Sequence, residues 1–591
     1  MAVSWSPAAL PAATWKCSRW SIRWSSRFVT SAADRPLDRR EDHPVSTGAQ
    51  LLLRCLENEG VQYVFGIPGE ENLDFVDALN ESSIELIVTR HEQGAAFMAD
   101  IVGRLTGKPG VCFSTLGPGA TNLVTGVADA NMDHAPLIAI AGQAGIDRLH
   151  KESHQVLDLV RMFEPITRYA SRIITPSAIP ETVRRAAKFA EAGKGGASFI
   201  ELPEDVAAMP VESGFASPLP VTSNGASQPR ESSLEQAAEA LSAARHPIIL
   251  AGHGVVRAGA SEALAELAER LNIPVANTFM AKGVIPFRHP MALGSVGLQS
   301  KDYVNVGFDQ ADVIVCIGYD LVEYHPQLWH PTRDRQIIHV DTEAAEVDAH
   351  YPVATSIVGD INTAMQRLGE LTTPHEGPAF RDLREALIED MNRHADDDCL
   401  PIKPQKLIWD LRTALSSRDI VISDVGAHKM WLARMYRSER PNSCIISNGF
   451  ASMGIALPGA IAAKLLYPER HIVAATGDAG FLMNVQELET AVRCKTPIIV
   501  LIWNDGGYGL IDMKQRRGFG RSTGVHFGNP DFVQLAESFG AKGYRVESGD
   551  GLLPILKEAM ASESVCVIDV PVDYRENEQL TRRLGETLVG G

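Results

Sequence analysis

Residues 472–507, IVAATGDAGFLMNVQELETAVRCKTPIIVLIWNDGG, contain the pattern that determines the fold. A short apolar run at 472–475 leads to Gly477-Asp478-Ala479-Gly480. A helical pattern follows at 484–493, and a second apolar run leads to Trp503-Asn504-Asp505-Gly506-Gly507. Apolar strands that alternate with helices are typical of a parallel sheet covered by helices on both faces. The segment therefore predicts two parallel strands joined by one helical crossover.

The same alternation occurs in three parts of the chain. Apolar strands are predicted at 61–65, 84–88, 110–114 and 136–140 with helices at 91–105 and 120–132, then at 247–251, 311–317 and 336–340, and finally at 419–424, 472–475, 497–502 and 565–569. We therefore predict an α/β protein of three doubly wound parallel-sheet domains, at 45–215, 235–370 and 400–575, followed by a tail at 576–591.

The first 44 residues differ in composition from the rest of the chain. They contain four of the eight tryptophans, and no acidic residue precedes Asp34. Together with recurring arginine and serine, this composition is typical of a transit peptide. Alternatively, translation starts near Val45, and residues 1–44 are a mis-assigned start or a disordered leader. Under either interpretation this leader lies outside the predicted domains.

Composition and charge exclude several classes of protein. The formal net charge of -18 disfavours binding to nucleic acid or anionic lipid. The apolar runs are too short and too often interrupted to span a membrane. The eight cysteines are scattered and form no CxxC pair, as is typical of a reducing compartment. We predict a cytoplasmic protein with no nucleic-acid or membrane partner, or an organellar one if the leader is a transit peptide.

Asp478 and Asp505 are candidate metal ligands. Each follows an apolar strand, and they are 505 − 478 = 27 residues apart, a spacing that suits two strand ends joined by one crossover. Mg²⁺ is usually held by one or two carboxylates together with phosphate oxygens and water. Glycines in both loops allow close approach and leave N–H groups free. Either motif alone is most simply a turn, but the pair predicts a magnesium-diphosphate site.

These two motifs resemble the Gly-Asp-Gly…Asn-Asn signature of thiamine-diphosphate enzymes. Ala479 replaces a glycine of that signature, and Asp505 replaces an asparagine. The resemblance implies that the first and third domains bind the pyrimidine and the diphosphate of the cofactor. It implies Mg²⁺ ligation by Asp478, Asp505 and the backbone carbonyl of Gly507. It also implies that the cofactor contacts the loop residues Gly477, Asp478, Ala479, Gly480, Asp505 and Gly507.

The segment Arg90-His91-Glu92-Gln93-Gly94-Ala95-Ala96 resembles the one that supplies the catalytic glutamate of this family. An acid at a helix start is otherwise explained by its interaction with the helix dipole. The resemblance implies that Glu92 binds the pyrimidine ring of the cofactor. It would promote the tautomer whose amino group removes the proton of the thiazolium carbon.

Nearly the whole chain after residue 45 resembles the acetolactate synthase family. The resemblance rests on Phe65-Gly-Ile-Pro-Gly69, Gly117-Pro-Gly-Ala-Thr-Asn122, Val425-Gly-Ala-His428 and Ser447-Asn-Gly-Phe-Ala-Ser-Met-Gly454, in the order of that family. It implies that Met453 lies beneath the cofactor and forces its bent shape, although a methionine beside glycine can also be packing filler. Gly426, His428 and Gly449 would line the diphosphate and the mouth of the site.

Other segments resemble the catabolic branch of the family, namely Lys151-Glu-Ser-His-Gln155, residues 317–324, residues 539–544 and residues 569–574. The biosynthetic branch binds FAD with a Phe-Asp-Asp-Arg stretch where this chain has Asp320-Leu-Val-Glu323, which implies that FAD is not required. Gln155 would lie beside the reacting carbonyl and His154 would replace a phenylalanine, unless both belong to an ordinary polar helix face.

The resemblance implies the decarboxylating condensation of two pyruvate molecules to 2-acetolactate and CO2, with thiamine diphosphate and Mg²⁺ as cofactors. Lys514 replaces a tryptophan that favours 2-oxobutyrate, so both substrates would be pyruvate. In this family Glu92 and the metal site belong to different subunits. A homodimer or homotetramer with active sites at the subunit interface is therefore expected.

Three alternatives remain. A plain 2-oxo-acid decarboxylase commonly has a histidine pair in the first domain, whereas residues 117–122 contain no histidine. A pyruvate oxidase would require bound flavin. A catalytically inactive homologue is disfavoured by the joint presence of Glu92, Asp478, Asp505 and Met453.

Overall fold

Three six-stranded sheets, each entirely parallel, form the framework of the protein. They are seen in a computed structural model that describes residues 47–581 except 213, 215–216, 223–224, 226, 298–301 and 378–379. The predicted leader at 1–44 and residues 582–591 of the predicted tail lie outside the described residues. Among the helices described here, none is long and apolar enough to cross a membrane.

The first sheet has the strand order β2-β1-β3-β4-β6-β5. Its strands are β1 (Tyr63–Gly66), β2 (Glu85–Val88), β3 (Gly110–Ser114), β4 (Leu137–Gln143), β5 (Tyr169–Arg172) and β6 (Ala197–Pro203). The helices of this part are α1 (Gly48–Asn58), α2 (Leu73–Ala78), α3 (Glu92–Thr106), α4 (Pro118–Met132), α5 (Leu159–Phe163), α6 (Ile179–Glu191) and α7 (Glu204–Ala208).

The second sheet has the strand order β12-β11-β10-β7-β8-β9. Its strands are β7 (Pro247–Ala251), β8 (Val275–Asn277), β9 (Ala292–Ser295), β10 (Val313–Ile317), β11 (Gln336–Asp341) and β12 (Val353–Val358). The helices are α8 (Glu231–Ala243), α9 (His253–Arg257), α10 (Ser261–Leu271), α11 (Tyr303–Gln310) and α12 (Ile361–Leu371), and α13 (Arg381–Asn392) follows them.

The third sheet has the strand order β14-β13-β15-β16-β18-β17. Its strands are β13 (Ile420–Ser423), β14 (Cys444–Ile446), β15 (Ile472–Gly477), β16 (Ile499–Asn504), β17 (Lys542–Arg545) and β18 (Cys566–Pro571). The helices are α14 (Pro404–Ala414), α15 (Ala427–Met435), α16 (Ala456–Leu466), α17 (Asp478–Met483), α18 (Glu487–Arg493), α19 (Gly509–Phe519), α20 (Phe532–Ser538) and α21 (Leu552–Met560).

Short 3-10 helices complete the described structure, at Glu70–Asn72, Leu79–Glu81, Ile146–Arg148, Glu164–Ile166, Pro176–Ala178, Pro326–Leu328 and Tyr574–Thr581. The predicted fold class of three parallel-sheet α/β units is confirmed. The first and third sheets share one strand order, while the strands of the second follow the order of a Rossmann-type dinucleotide-binding sheet.

The first and third sheets share a hydrophobic core. Helix α3 packs on α16, and a Cβ atom at Gly459 of α16 would lie 2.7 Å from Ile101 of α3. Buried apolar residues of both sheets belong to the same cluster. Strands β15 and β16, which precede the two acid loops, contribute Ala474 and Ile502 to this core.

The structure differs from the sequence prediction just after β15. The sequence predicted a loop at 477–480 and a helix at 484–493, whereas α17 already begins at Asp478 and α18 follows it. An acid is favourable at a helix N-terminus, and the Asp478 carboxylate accepts a hydrogen bond from the N–H of Ala479. The helix is interrupted at Asn484, whose side chain donates to the carbonyl of Gly454.

Candidate active site

Asp478 and Asp505 come together at the carboxyl ends of β15 and β16. The parallel register pairs Gly477 with Trp503, so the two following loops leave the sheet side by side. The Asp478 carboxylate is buried and accepts hydrogen bonds from the N–H of Gly506 at 2.8 Å and from the Asn529 side chain at 2.7 Å. Both acids therefore lie at the edge of the sheet where open α/β folds bind ligands.

The electrostatics of this acid pair suit a divalent cation. Burial raises the pKa of Asp478, and burial together with the charge of Asp478 raises the pKa of Asp505 to about 8. Within the described part of the chain, neither carboxylate forms an ion pair with lysine, arginine or histidine. Two carboxylates that repel each other without a cationic partner favour a bound metal ion.

Three aromatic side chains next to the acid pair have polar atoms without partners. His428 Nε2, Trp503 Nε1 and Tyr574 Oη are buried and have no hydrogen-bond partner among the described residues. Tyr574 stacks on Trp503 with ring centroids 6.5 Å apart, and the His428 ring lies 6.1 Å from the same indole. Because buried polar groups are normally paired, this cluster fits a polar ligand.

His428 lies between the ends of two strands. A Cβ atom at Gly426 would lie 2.8 Å from its ring, and one at Gly477 would lie 3.4 Å away. Burial lowers the pKa of His428 to about 3. The imidazole is therefore neutral near pH 7 and can form a hydrogen bond with a ligand, but it does not supply a positive charge.

Gly480 and Gly507 lie where side chains would not fit. A Cβ atom at Gly480 would lie 2.6 Å from the Asp424 carboxylate, and one at Gly507 would lie 2.6 Å from the carbonyl of Val525. Ala479, which replaces the glycine of the family signature, is 8% exposed, so its methyl group is accommodated within the fold.

The loop that carries Met453 is fixed at both ends. At one end, the N–H of Gly449 donates at 2.6 Å to Asp133, the C-cap residue of α4. At the other, the N–H of Gly454 donates to Asp424 at 2.8 Å, and Gly454 has a φ of 93°, which favours glycine. Met453 is half-buried between these anchors.

The first of those anchors belongs to a buried network. Arg104 pairs with Asp100, Asp129 and Asp133 at 2.6, 2.9 and 2.8 Å. Asp129 also accepts hydrogen bonds from the side chain of Ser447 at 2.9 Å and from the N–H of Ser452 at 3.1 Å. The Met453 loop of the third sheet is thus held by acids of the first.

Glu92 is the first residue of α3 and is 8% exposed. One carboxylate oxygen accepts a hydrogen bond from the Asn122 side chain at 3.0 Å, and the other would lie 3.3 Å from a Cβ atom at Gly119. No hydrogen bond among the described residues joins Glu92 to the loops of Asp478 and Asp505. The candidate residues therefore form two groups within one protomer.

Gln155 lies near the Glu92 group. A Cβ atom at Gly117, just before α4, would lie 2.9 Å from the Cβ atom of Gln155. The residue Gln155 is exposed and has a φ of 57°. His154 is also exposed. The loop of both residues thus covers the same helix start that contacts Glu92.

Lys514 lies in α19, close to the second group. Burial lowers the pKa of Lys429, the neighbour of His428, to about 8, and the charge of Lys514 contributes to this shift. Lys514 itself is exposed on a helix that has no buried residue. Lys514 is therefore close enough to Lys429 for the two charges to interact.

Sequence reasoning missed several residues that shape the site. Asn529 bridges the Asp478 carboxylate and the Asn504 side chain, while Asp424 joins the Met453 loop to β15 through the Thr476 hydroxyl at 2.8 Å. Asp424 directly follows an apolar strand, as Asp478 does, and this signal was available in the sequence. Asn529 follows no strand, and no local pattern marked it.

Comparison with known proteins defines the class. Models of the thiamine pyrophosphate enzyme family match residues 46–162 as the N-terminal TPP binding domain, residues 234–368 as the central domain, and residues 424–570 as the C-terminal TPP binding domain. Each match falls on a different sheet: the N-terminal match includes β1 to β4, the central match includes β7 to β12, and the C-terminal match begins just after β13.

Individual relatives narrow the class further. "Acetolactate synthase" of Bacillus subtilis is 38% identical over 92% of this chain and 96% of its own length. "Acetolactate synthase, catabolic" of Raoultella terrigena is 36% identical over 93% of this chain and 99% of its own. "Acetolactate synthase large subunit" of Haemophilus influenzae is 32% identical over 90% and 95%. This chain belongs to the acetolactate synthase family of thiamine pyrophosphate enzymes.

Proposed function

We propose that this protein condenses two pyruvate molecules to 2-acetolactate with release of CO2. Family membership and the names of relatives that span nearly the whole chain support this activity. The observation that carries the proposal is the acid pair Asp478 and Asp505. It lies beside buried polar atoms that have no partner among the described residues, an arrangement that suits a metal-bound diphosphate.

The residues of this edge fit thiamine diphosphate and Mg²⁺. Asp478, Asp505 and the carbonyl of Gly507 would hold the metal ion. Gly426, His428, Gly477, Ala479 and Gly480 would surround the diphosphate, and Gly449 would border the mouth of the site. When bound, thiamine diphosphate supplies a nucleophilic carbon for the carbonyl of a 2-oxo acid and an electron sink for the loss of CO2.

The protein's own groups would position and protect this chemistry. Glu92 would hold a proton at the pyrimidine ring nitrogen with the carboxylate oxygen that Asn122 leaves free. Met453 would support the bent cofactor from a loop fixed at both ends. Gln155 would lie beside the reacting carbonyl. Exclusion of water and proton donors by the closed site would favour condensation over simple decarboxylation.

A homodimer or homotetramer would bring the two groups of site residues together. Within one protomer, exposed apolar side chains surround the Met453 loop, since Phe450 is 44% and Met483 is 43% exposed. In α19, which follows the Asp505 loop, Ile511 is 45% and Phe519 is 78% exposed. Several exposed apolar side chains near a site favour an interface there, so a second copy would supply Glu92 to each acid pair.

We infer that FAD is not required. In the second sheet, the crevice between β7 and β10 is where a dinucleotide would bind. There the Glu323 carboxylate accepts the N–H of His253 at 3.0 Å, at the start of α9. Asp320 pairs with Arg257 at 3.0 Å and also with Lys194. Because a protein carboxylate takes the position that suits a phosphate, this crevice favours a flavin-free protein.

The decisive experiment is incubation of pure protein with pyruvate, thiamine diphosphate and Mg²⁺, without FAD. We expect 2-acetolactate as the main product and a visible spectrum without flavin bands. Glu92→Gln should abolish turnover, whereas Glu204→Gln, at an exposed surface pair, should not. Acetaldehyde as the only product would refute the condensation, and an inactive wild-type protein would favour the interpretation as an inactive homologue.

The cytoplasmic location of the protein stays a prediction.

A further inference from the structure

A buried carboxylate of the third sheet contacts the start of the helix that carries Glu92. Glu487, the first residue of α18, is fully buried. It accepts hydrogen bonds from the backbone N–H groups of Arg90 at 3.0 Å and His91 at 3.1 Å, and from the Thr490 hydroxyl at 2.7 Å. Glu487 therefore binds the two residues that immediately precede Glu92.

The approach of Glu487 to α3 is close. A Cβ atom at Gly94, in the first turn of α3, would lie 2.7 Å from Glu487 Oε1. The N-terminus of a helix has free N–H groups and a partial positive charge, so a carboxylate is favourable there. Glu487 therefore fixes the direction in which α3 begins, and with it the position of the Glu92 backbone.

Further contacts hold the same segment. Arg90 pairs with Glu489 of α18 at 2.7 Å, and the Arg493 side chain donates to the carbonyl of Val88. The Arg90–Glu489 pair is about half exposed on the arginine side, so we expect it to contribute little to stability. Of the side chains Glu487, Glu489 and Arg493, only Glu487 is both fully buried and bonded to the backbone N–H groups next to Glu92.

A fully buried carboxylate is an unusual choice for simple packing. Burial raises the pKa of Glu487, and the hydrogen bonds from Thr490 and from the backbone oppose that shift. In the described part of the chain, Glu487 forms no ion pair with lysine, arginine or histidine. Well-packed apolar residues often replace buried charges without loss of stability, so a role beyond packing accounts better for this one.

We propose that Glu487 is a positioning residue that sets the place of Glu92 against the cofactor. The proposal rests on the proposed function, in which Glu92 holds a proton at the pyrimidine ring. The sequence strengthens it, because α18 follows α17, which begins with Asp478. One continuous segment thus fixes a candidate metal ligand and, through Glu487, the start of α3.

The test compares two substitutions of Glu487 with a nearby control. Glu487→Gln keeps the length of the side chain and an oxygen that accepts both backbone N–H groups, so it should retain kcat within about threefold. Glu487→Ala removes the acceptor. Because a misplacement of about 1 Å costs on the order of a hundredfold in rate, kcat should fall ten- to hundredfold while KM for pyruvate stays within twofold. Glu489→Gln, which removes the exposed pair with Arg90, should behave as wild type.

Hydrogen exchange gives a second readout that does not depend on activity. In the cofactor-free protein, the amides of residues 90–94 should exchange at least tenfold faster in Glu487→Ala than in wild type, and at the wild-type rate in Glu487→Gln. Wild-type exchange or an unchanged kcat in Glu487→Ala would overturn the proposal. A tenfold loss of kcat in Glu487→Gln would also overturn it, because the hydrogen bonds are then kept. If wild type makes no acetolactate, the proposed function fails, and the exchange experiment still tests the contact itself.

Discussion

Replacing Arg104 with methionine should strongly destabilise the protein. The guanidinium is 3% exposed and pairs with three fully buried carboxylates, those of Asp100, Asp129 and Asp133. Methionine fills a similar volume but leaves these acids without a cation. Removing one partner of a buried ion pair costs about 3–5 kcal/mol. For domains of about 150–250 residues, each kcal/mol shifts Tm by about 2–4 °C, so Tm should fall by about 6–20 °C.

The pH dependence of this loss provides a sharper test. Burial raises the pKa of Asp100 and of Asp129 above their ordinary values, while Arg104 opposes the shift. Without Arg104 these pKa values rise further, so the folded state binds more protons than the unfolded state. Stability then falls as pH rises from the unfolded pKa, near 4, towards the folded pKa. The loss of Tm in Arg104→Met relative to wild type should therefore be smaller at pH 5.5 than at pH 7.5.

Thermal unfolding of the two proteins at both pH values measures the effect. Arg148→Met is the matched control, because Arg148 pairs with Glu204 at 3.1 Å on the surface, where an ion pair contributes at most about 1 kcal/mol. Loss of the Met453 loop anchors should also lower kcat. The reasoning is wrong if Arg104→Met and Arg148→Met lower Tm equally, or if the deficit of Arg104→Met grows at pH 5.5.

Three further predictions concern single substitutions. Tyr574→Phe removes a buried hydroxyl that has no hydrogen-bond partner among the described residues, so Tm should stay within about 2 °C. Affinity for thiamine diphosphate with Mg²⁺ should fall about tenfold, as for one lost hydrogen bond; calorimetric titration measures this affinity, and an unchanged affinity would contradict the prediction. Gly283→Ala should lower Tm by several degrees, because Gly283 has a φ of 91° and a Cβ atom there would overlap the carbonyl of Arg440. A melting curve identical to that of the wild type would exclude this clash. Lys514→Trp should raise the share of 2-oxobutyrate used as second substrate when it competes with pyruvate, and an unchanged product ratio would rule out a specificity role.

The fold could be predicted because fully buried strands give a strong local pattern of apolar residues. Strand β15 and strand β16 are buried on both faces, so each appears as an uninterrupted apolar run that ends in a polar loop. Strand β17, a polar and largely exposed strand at the edge of its sheet, gave no such signal. The start of α17 was missed because Gly477 and Asp478 are equally typical of a loop.

The site was predictable only in part. Asp478 and Asp505 could be placed side by side, since parallel strand ends meet at one edge of the sheet. The hydrogen bonds that complete the group come from residues such as Asn529, and the Tyr574 ring, which stacks on Trp503, comes from the segment after β18. These partners are distant in sequence, and no periodicity links them to the strand ends.

The sequence by itself determined the three parallel α/β units and the acid pair, because local apolar runs and their spacing encode strands and crossovers. Only the tertiary structure decided how the first and third sheets join. Glu487 meets Arg90 across 397 residues, and Asp133 meets Gly449 across 316 residues. Such contacts depend on the packing of α3 against α16 in a shared core. Packing of this kind depends on the complementary shapes of whole helices and sheets, which cannot be read from a short stretch of sequence.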